Sequence, residues 1–396
     1  MVKREVTIKM GKFALVVFAV VFFASPDLFI AQTTREKEFG SSLKRLKWDP
    51  EKKAATEDSS GSKNTSEDVD EGDVIKVEST LVVCDVLVAT KNGKTVSGLA
   101  ADDFVVKDDG ANQEIATFSL GDDVNKSRSI VLIIDHSGSQ RPYLNRSIAA
   151  AKTLVDQLGP KDRMAIVSDD IMLVRDFTSN KKDLKRSLDW LEDKAEAGNY
   201  GFSRQYSALM ATLKELVIRQ ERPIIIFQTD GDELGSLRSK ESEPVVKTVR
   251  EFGLVDLINA AEKARVTIYT VIPGLQIVGL SPDEQLKRAK VMASRGNAVW
   301  IPSERFEEMI RGFLREQTAL EGLSKLSGGW TEFLEKPEQA DKIYSRILAD
   351  INHRYILGFQ PSNKEHDGKR RKLIIEVKDH PEYIVWGRKF YYAPAN

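Results

Sequence analysis

Ile130-Val131-Leu132-Ile133-Ile134-Asp135-His136-Ser137-Gly138-Ser139 is the stretch whose reading decides the fold. Five aliphatic residues in a row, bounded by polar ones, read as a strand of a parallel sheet covered on both faces. The chain then turns abruptly to a carboxylate and two hydroxyls. Open α/β sheets bind ligands beyond the carboxyl ends of their strands, which is where these oxygens fall. Hard oxygen donors at such a place suit a magnesium-type ion. Taken alone, Asp-x-Ser-x-Ser also describes an ordinary turn followed by a helix N-cap.

Two further segments shift the balance. Pro223-Ile224-Ile225-Ile226-Phe227-Gln228-Thr229-Asp230-Gly231-Asp232 is a second apolar strand that ends in an acid, with a glycine where the backbone can turn sharply. Between the two, Gly201-Phe202-Ser203-Arg204-Gln205-Tyr206-Ser207-Ala208-Leu209 places hydroxyls in a loop ahead of another helix. With these pieces in this order, the chain resembles the von Willebrand factor type A (VWA) family and its metal-ion-dependent adhesion site. The resemblance implies a divalent cation, Mg²⁺ with Mn²⁺ or Ca²⁺ as alternatives. It carries the metal-ligand roles onto Asp135, Ser137, Ser139, Ser203 and Asp230. Ser203 stands where the family has threonine, and is placed by the Tyr206, Ala208 and Leu209 that follow it. Ser207 is the alternative.

Two carboxylates and three hydroxyls neutralise a divalent ion without filling the roughly six positions it prefers. A vacant position on a cation held largely by hydroxyls remains electrophilic, and an acidic side chain of a protein or glycan partner is its natural occupant. His136 lies inside the motif but offers nitrogen to a hard ion, so it reads as a loop residue and not a ligand.

The surrounding chain fits an exported binding protein. Lys3, Arg4, Lys9 and Lys12 precede the apolar run Phe13 to Ala24, too short to span a bilayer comfortably and typical of an export signal. Residues 1–31 therefore read as a signal peptide or an uncleaved N-terminal anchor, and the protein as extracytoplasmic, periplasmic or secreted. Such an anchor is the only membrane association expected. Cys84 is the sole cysteine, so no internal disulfide forms. A net charge of −1 gives no electrostatic case for nucleic acid or an anionic surface.

Residues 32–73, rich in Lys, Glu, Asp, Ser and Gly, read as a flexible linker whose acidic distal half, Thr56 to Asp73, has a binding tail as its alternative reading. Short strands follow over 74–122: Lys76 to Ala89, Thr95 to Leu99, Phe104 to Lys107 and Glu114 to Leu120, with an Asn92-Gly93 hairpin turn. The same texture returns over 353–396. Neither block holds enough strands to bury both faces of a sheet, so the two are expected to form one β-sandwich. The alternating strands and helices of 127–352 form a doubly wound, mostly parallel VWA-like α/β domain inserted between them. Within the insert, 274–319 is longer than a simple connection, and either decorates the rim of the metal face or packs on the domain's side.

From about Val74 to Tyr392 the pattern resembles the exported VWFA-related domain proteins of acidobacteria, which supports an extracytoplasmic site and leaves the partner open. The leading functional expectation is metal-dependent binding or adhesion, not enzymatic activity. A metal-dependent hydrolase and a purely structural ion are the alternatives. The hydrolase lacks an acid–base set: no Gly-x-Ser-x-Gly elbow, His-Glu-x-x-His pair or phosphate loop occurs, and the four histidines are scattered at 136, 353, 366 and 380.

Overall fold

The computed structural model describes residues 43–49, 54–57, 81–121, 127–201, 203–218, 220, 222–231, 253–295 and 303–395. The expected leader, most of the linker, and Asp232 with the residues up to 252 lie outside the described residues.

Sixteen strands are present among the described residues. In chain order they are β1 Lys44–Asp49, β2 Ala54–Glu57, β3 Val82–Ala89, β4 Phe104–Asp108, β5 Ala111–Gln113, β6 Ile115–Leu120, β7 Ser129–Ile134, β8 Arg163–Ser168, β9 Met172–Thr178, β10 Pro223–Gln228, β11 Thr267–Pro273, β12 Thr331–Leu334, β13 Tyr355–Phe359, β14 Arg370–Val377, β15 Ile384–Trp386 and β16 Phe390–Tyr392. The helices are α1 Arg141–Asp156, α2 Lys181–Glu196, α3 Gln205–Ala211, α4 Leu254–Ala264, α5 Pro282–Arg295, α6 Ser303–Ser327 and α7 Ala340–Asn352.

The insert forms one sheet in the order β12-β11-β10-β7-β8-β9, with β1 and β2 added beyond β9. Its central strands pair in parallel and β9 runs antiparallel to β8. Every residue of β7 and of β10 is buried, which explains their unbroken aliphatic runs. One face of the sheet packs on α1, α2 and α7 through Leu144, Ile148, Leu188, Ile343 and Ile347. The other packs on α3, α4 and α6 through Leu209, Leu257, Leu320 and Leu323.

The expected union of the two outer β segments is met in the pairing. β13 lies between β3 and β6, with Leu357 opposite Cys84 on one side and Phe118 on the other. β14 pairs with β4 and β16 in a second antiparallel sheet. Alternate residues of both sheets, among them Cys84, Val86, Val106, Leu357, Phe359, Leu373 and Tyr391, face one shared core.

Three details differ from the sequence reading. Residues 44–49 and 54–57, placed in the flexible linker, form a hairpin, and Lys44 and Arg45 pair in parallel with Met172 and Leu173. The physical reason is Leu43: it is buried in the α/β core, and its N–H donates to Glu215 Oε2 at 3.0 Å. Thr95 to Leu99 is not a strand; only Thr95 bridges Ala89, while Tyr355 Oη holds the segment by accepting from Leu99 N–H and donating to Val96 O. The helix expected over Tyr206 to Gln220 stays α-helical only to Ala211, and Thr212–Leu216 is a π turn. The long segment 274–319, for which the sequence leaves both the rim and the side of the domain open, supplies α5 and most of α6; Gln317 of α6 accepts from Ile277 N–H and Val278 N–H and donates to Leu275 O, tying the segment to itself, and Glu316 accepts from Tyr206 Oη at 3.0 Å.

Candidate functional site

Sheet pairing carries one residue past β7: Asp135 N–H donates to Gln228 O at 3.1 Å, so the carboxylate emerges at the strand's end already fixed in direction. A single 3₁₀ turn, Gly138–Gln140, then hands the chain to α1. This tight reversal brings Ser137 and Ser139 together, with their hydroxyl oxygens 3.1 Å apart. Ser139 Oγ donates to Asp230 Oδ2 at 2.7 Å, tying the first motif to the second residue beyond β10. Gly231, at φ 81°, packs against Tyr206 and α6, so the turn after Asp230 requires a glycine both for its backbone angle and for space.

Asp135 is almost fully buried. Its Oδ1 accepts from Ser137 N–H at 2.9 Å, and its Oδ2 accepts from Gln205 Nε2 at 2.6 Å and Thr229 Oγ1 at 3.4 Å. Burial pushes its pKa up to about 8, and the neighbouring carboxylates of Asp230 and Asp169 push the same way. The side chain is thus an acceptor set in a pocket that disfavours its own charge.

Asp135, Ser137, Ser139 and Asp230 are therefore joined in one hydrogen-bonded network. Ser203 sits beside it in the loop ahead of α3, with its backbone in the left-handed region at φ 54°. Gln205, the first residue of α3 directly after that loop, reaches Asp135. Ser207 lies half-buried in the first turn of α3.

Two residues that sequence reasoning passed over complete the arrangement. Gln205 is one. Asp169, at the turn after β8, is the other: fully buried, it accepts from His136 N–H at 3.2 Å and Ser203 N–H at 3.0 Å, and it lies 2.5 Å from His136 Nδ1. The signal for it was present, since β8 is the parallel neighbour of β7 and an acid just past its carboxyl end lies on the same edge of the sheet. His136, which reads in the sequence as a loop residue, is held by Asp169 at both its N–H and its ring nitrogen. Its ring is only 1% exposed.

The donor set suits a hard divalent cation. It offers the carboxylates Asp135 and Asp230 and the hydroxyls Ser137 and Ser139, all oxygens, with Ser203 in the adjoining loop. Among the described residues no group of three or more His, Cys, Asp or Glu could hold a metal ion. An ion here has to be shared between carboxylates and hydroxyls.

Residues 130–233, which run from β7 through Asp230, match the family model of the von Willebrand factor type A domain. Among solved structures the chain is similar to an aerotolerance-related membrane protein from Bacteroides fragilis, at 14% identity, 57% of this chain, 98% of that one and a TM-score of 0.34. It is also similar to the vWF domain of the type V pili tip protein Mfa5 from Porphyromonas gingivalis, at 13% identity, 57% of this chain, 96% of that one and a TM-score of 0.35. BatB from Bacteroides thetaiotaomicron is similar at 18% identity, 57% and 98% coverage and a TM-score of 0.33. No curated protein matches the chain. The motif order, the parallel sheet that positions it and the matched family model agree, and residues 130–233 form a von Willebrand factor type A domain.

Proposed function

We propose that this protein is a binding or adhesion protein of the extracytoplasmic space, whose VWA domain captures an acidic group of a protein or glycan partner through a divalent cation. Asp135, Ser137, Ser139 and Asp230 hold the ion, with Ser203 contributing from its loop. When bound, the cation supplies an electrophilic point that a partner's carboxylate can complete. The observation that carries this reading is the short chain of contacts from Ser137 through Ser139 to Asp230, which converges oxygens from two distant stretches of sequence on one edge of the sheet. The buried Asp135 carboxylate beside two other acids supports it, because a cation offsets the mutual repulsion there.

Extracytoplasmic placement rests on the charged and apolar leader of the sequence; among the described residues no helix is long and apolar enough to cross a membrane. An enzymatic role gains little from the His136–Asp169 pair, since a general base has to reach its proton. Calorimetric titration with Mg²⁺, Mn²⁺ and Ca²⁺ tests the ion: the wild type binds, and Asp135→Ala and Ser137→Ala lose binding while remaining folded. Unchanged affinity in both variants removes the site. A pull-down from envelope fractions with and without chelator then tests whether capture of the partner needs the ion.

A further inference from the structure

We infer that Asp169 is a positioning residue that locks the Asp135–Ser139 loop to the Gly201–Ser203 loop and so sets the geometry in which the site holds its ion. The inference rests on the ion-binding reading above. Gly201 N–H donates to His136 O at 3.1 Å, and Ser137 bridges Gly201 as an isolated parallel pair. Between the loops stands the Asp169 carboxylate, wholly buried. Oδ1 takes the backbone N–H of His136 and faces its ring nitrogen, and Oδ2 takes the N–H of Ser203.

A carboxylate suits this place because both of its oxygens only accept. An amide would offer one oxygen to one loop and present its NH₂ to a donor of the other. The neighbourhood is built around this acid: a Cβ at Gly201 would overlap its oxygens and lie 2.5 Å from its carboxylate carbon. Ser203 adopts a left-handed backbone that side-chain-bearing residues seldom take, and its N–H is held there by Asp169. His136, at the motif position between two proposed ligands, is the other residue held. Asp169 thus touches the residues that flank or contribute ligands while itself remaining turned away from solvent.

The chemistry at stake is that of an outer-shell partner, whose loss weakens metal affinity by about 10- to 100-fold in comparable sites. The test uses the full chain with Asp169→Asn and Asp169→Ala, and three readouts. In ion-free protein, amide hydrogen exchange at His136 and Ser203 is expected to be slow in the wild type and at least about tenfold faster in Asp169→Ala. Asp169→Asn, close to isosteric, is expected to keep protection at one of the two amides and lose it at the other. Mn²⁺ affinity is expected to fall about 10- to 100-fold in Asp169→Ala and less in Asp169→Asn, with an altered Mn²⁺ paramagnetic-resonance line shape in both.

A merely structural role lowers the unfolding midpoint while the folded protein keeps its Mn²⁺ affinity and line shape, and that result overturns the inference while leaving the ion site standing. Wild-type protein that fails to bind Mn²⁺ overturns the ion reading, and the positioning role with it. Unaltered exchange at both amides in Asp169→Ala overturns the lock whatever the ion does. If Asp169→Ala does not fold, the near-isosteric Asn variant carries the same three readouts.

Discussion

Gly201→Ala adds a single methyl group, and the structure fixes where it goes. Gly201 is not among the residues with positive φ, so alanine meets no backbone penalty there. The cost comes entirely from Asp169: the new Cβ would overlap both carboxylate oxygens and sit 2.5 Å from Cγ, where ordinary contact begins near 3.4 Å. Carboxylate and methyl have to part by about 1 Å, and neither moves freely, since the acid is buried and bonded to two backbone amides and an imidazole. Overpacking of this kind costs about 1 to 3 kcal/mol, and stretching the bonds to the buried His136 and Ser203 amides adds about 1 to 3 kcal/mol more. The expected loss is about 2 to 6 kcal/mol. Urea unfolding followed by circular dichroism, in chelator and with the slope unchanged between variants, measures it. Asp169→Ala opens the same space, so Gly201→Ala made in that background is expected to cost under about 1 kcal/mol, a coupling of at least about 1 kcal/mol. A cost below about 1 kcal/mol in the wild-type background, or an equal cost in both backgrounds, refutes the packing described around the loop.

Other perturbations have equally definite outcomes. A divalent ion at 100 times its dissociation constant is expected to raise wild-type stability by about 2.7 kcal/mol and to leave Asp135→Ala unchanged, as read from thermal unfolding at constant ionic strength. Leu43→Ala, which empties a buried position beneath the β1 hairpin, is expected to cost about 2 to 3 kcal/mol and to make residues 43–57 the first site of limited proteolysis. Removing residues 353–396 deletes β13 from between β3 and β6 and β14 from beside β4, so the truncated chain is expected to aggregate; a soluble product with native circular dichroism contradicts the shared-core arrangement.

Legibility followed burial. β7 and β10 were plain in the sequence because both faces of each are covered, and so short an aliphatic run bounded by polar residues has little else to be than a central strand. Their terminal acids were legible for the same reason, since a carboxylate directly after such a run, as Asp135 is, or within three residues of it, as Asp230 is, emerges at the sheet edge. Asp169 follows a strand buried in all but its first residue, yet it occurs in Ser168-Asp169-Asp170, a grouping that resembles any solvated turn. Only the three-dimensional approach of His136 and Ser203 gives it a role. Gln205 reads as an ordinary first residue of a helix, and its contact with Asp135 is a matter of side-chain direction, which spacing does not encode. The β1 hairpin was lost in a charged segment where Leu43 and Leu46 are the few aliphatic signals, and the π turn after α3 leaves no compositional mark. The composite β unit was inferred from an insufficiency of strands on either side, a global argument that needs no exact register.

The insert enters and leaves the β unit at one place, and that place is remote from the site. Arg128, just before β7, pairs with Asp162 at 2.5 Å and donates to Asn352 at the end of α7. Two residues later Arg354, 1% exposed, donates to Tyr269 Oη at 3.1 Å, to Asp85 O of β3 at 3.1 Å and to Gly328 O, joining the α/β sheet to the β unit. Asp135 lies past the opposite end of β7, a strand of six residues, so roughly 20 Å separates the clamp from the site. Arg370 with Glu262, and Arg222 with Asp85, add further contacts between the β unit and the insert. Removing the buried cation by Arg354→Met leaves three acceptors without a donor and is expected to cost about 3 to 5 kcal/mol. Sites more than about 10 Å apart with no shared partner add to within about 0.5 kcal/mol. Arg354→Met is therefore expected to leave ion affinity unchanged, and its stability cost to be the same with and without Asp135→Ala. A coupling above about 1 kcal/mol between these two positions contradicts their independence and requires α7, which ends at Asn352, to transmit strain between the clamp and the ion loops.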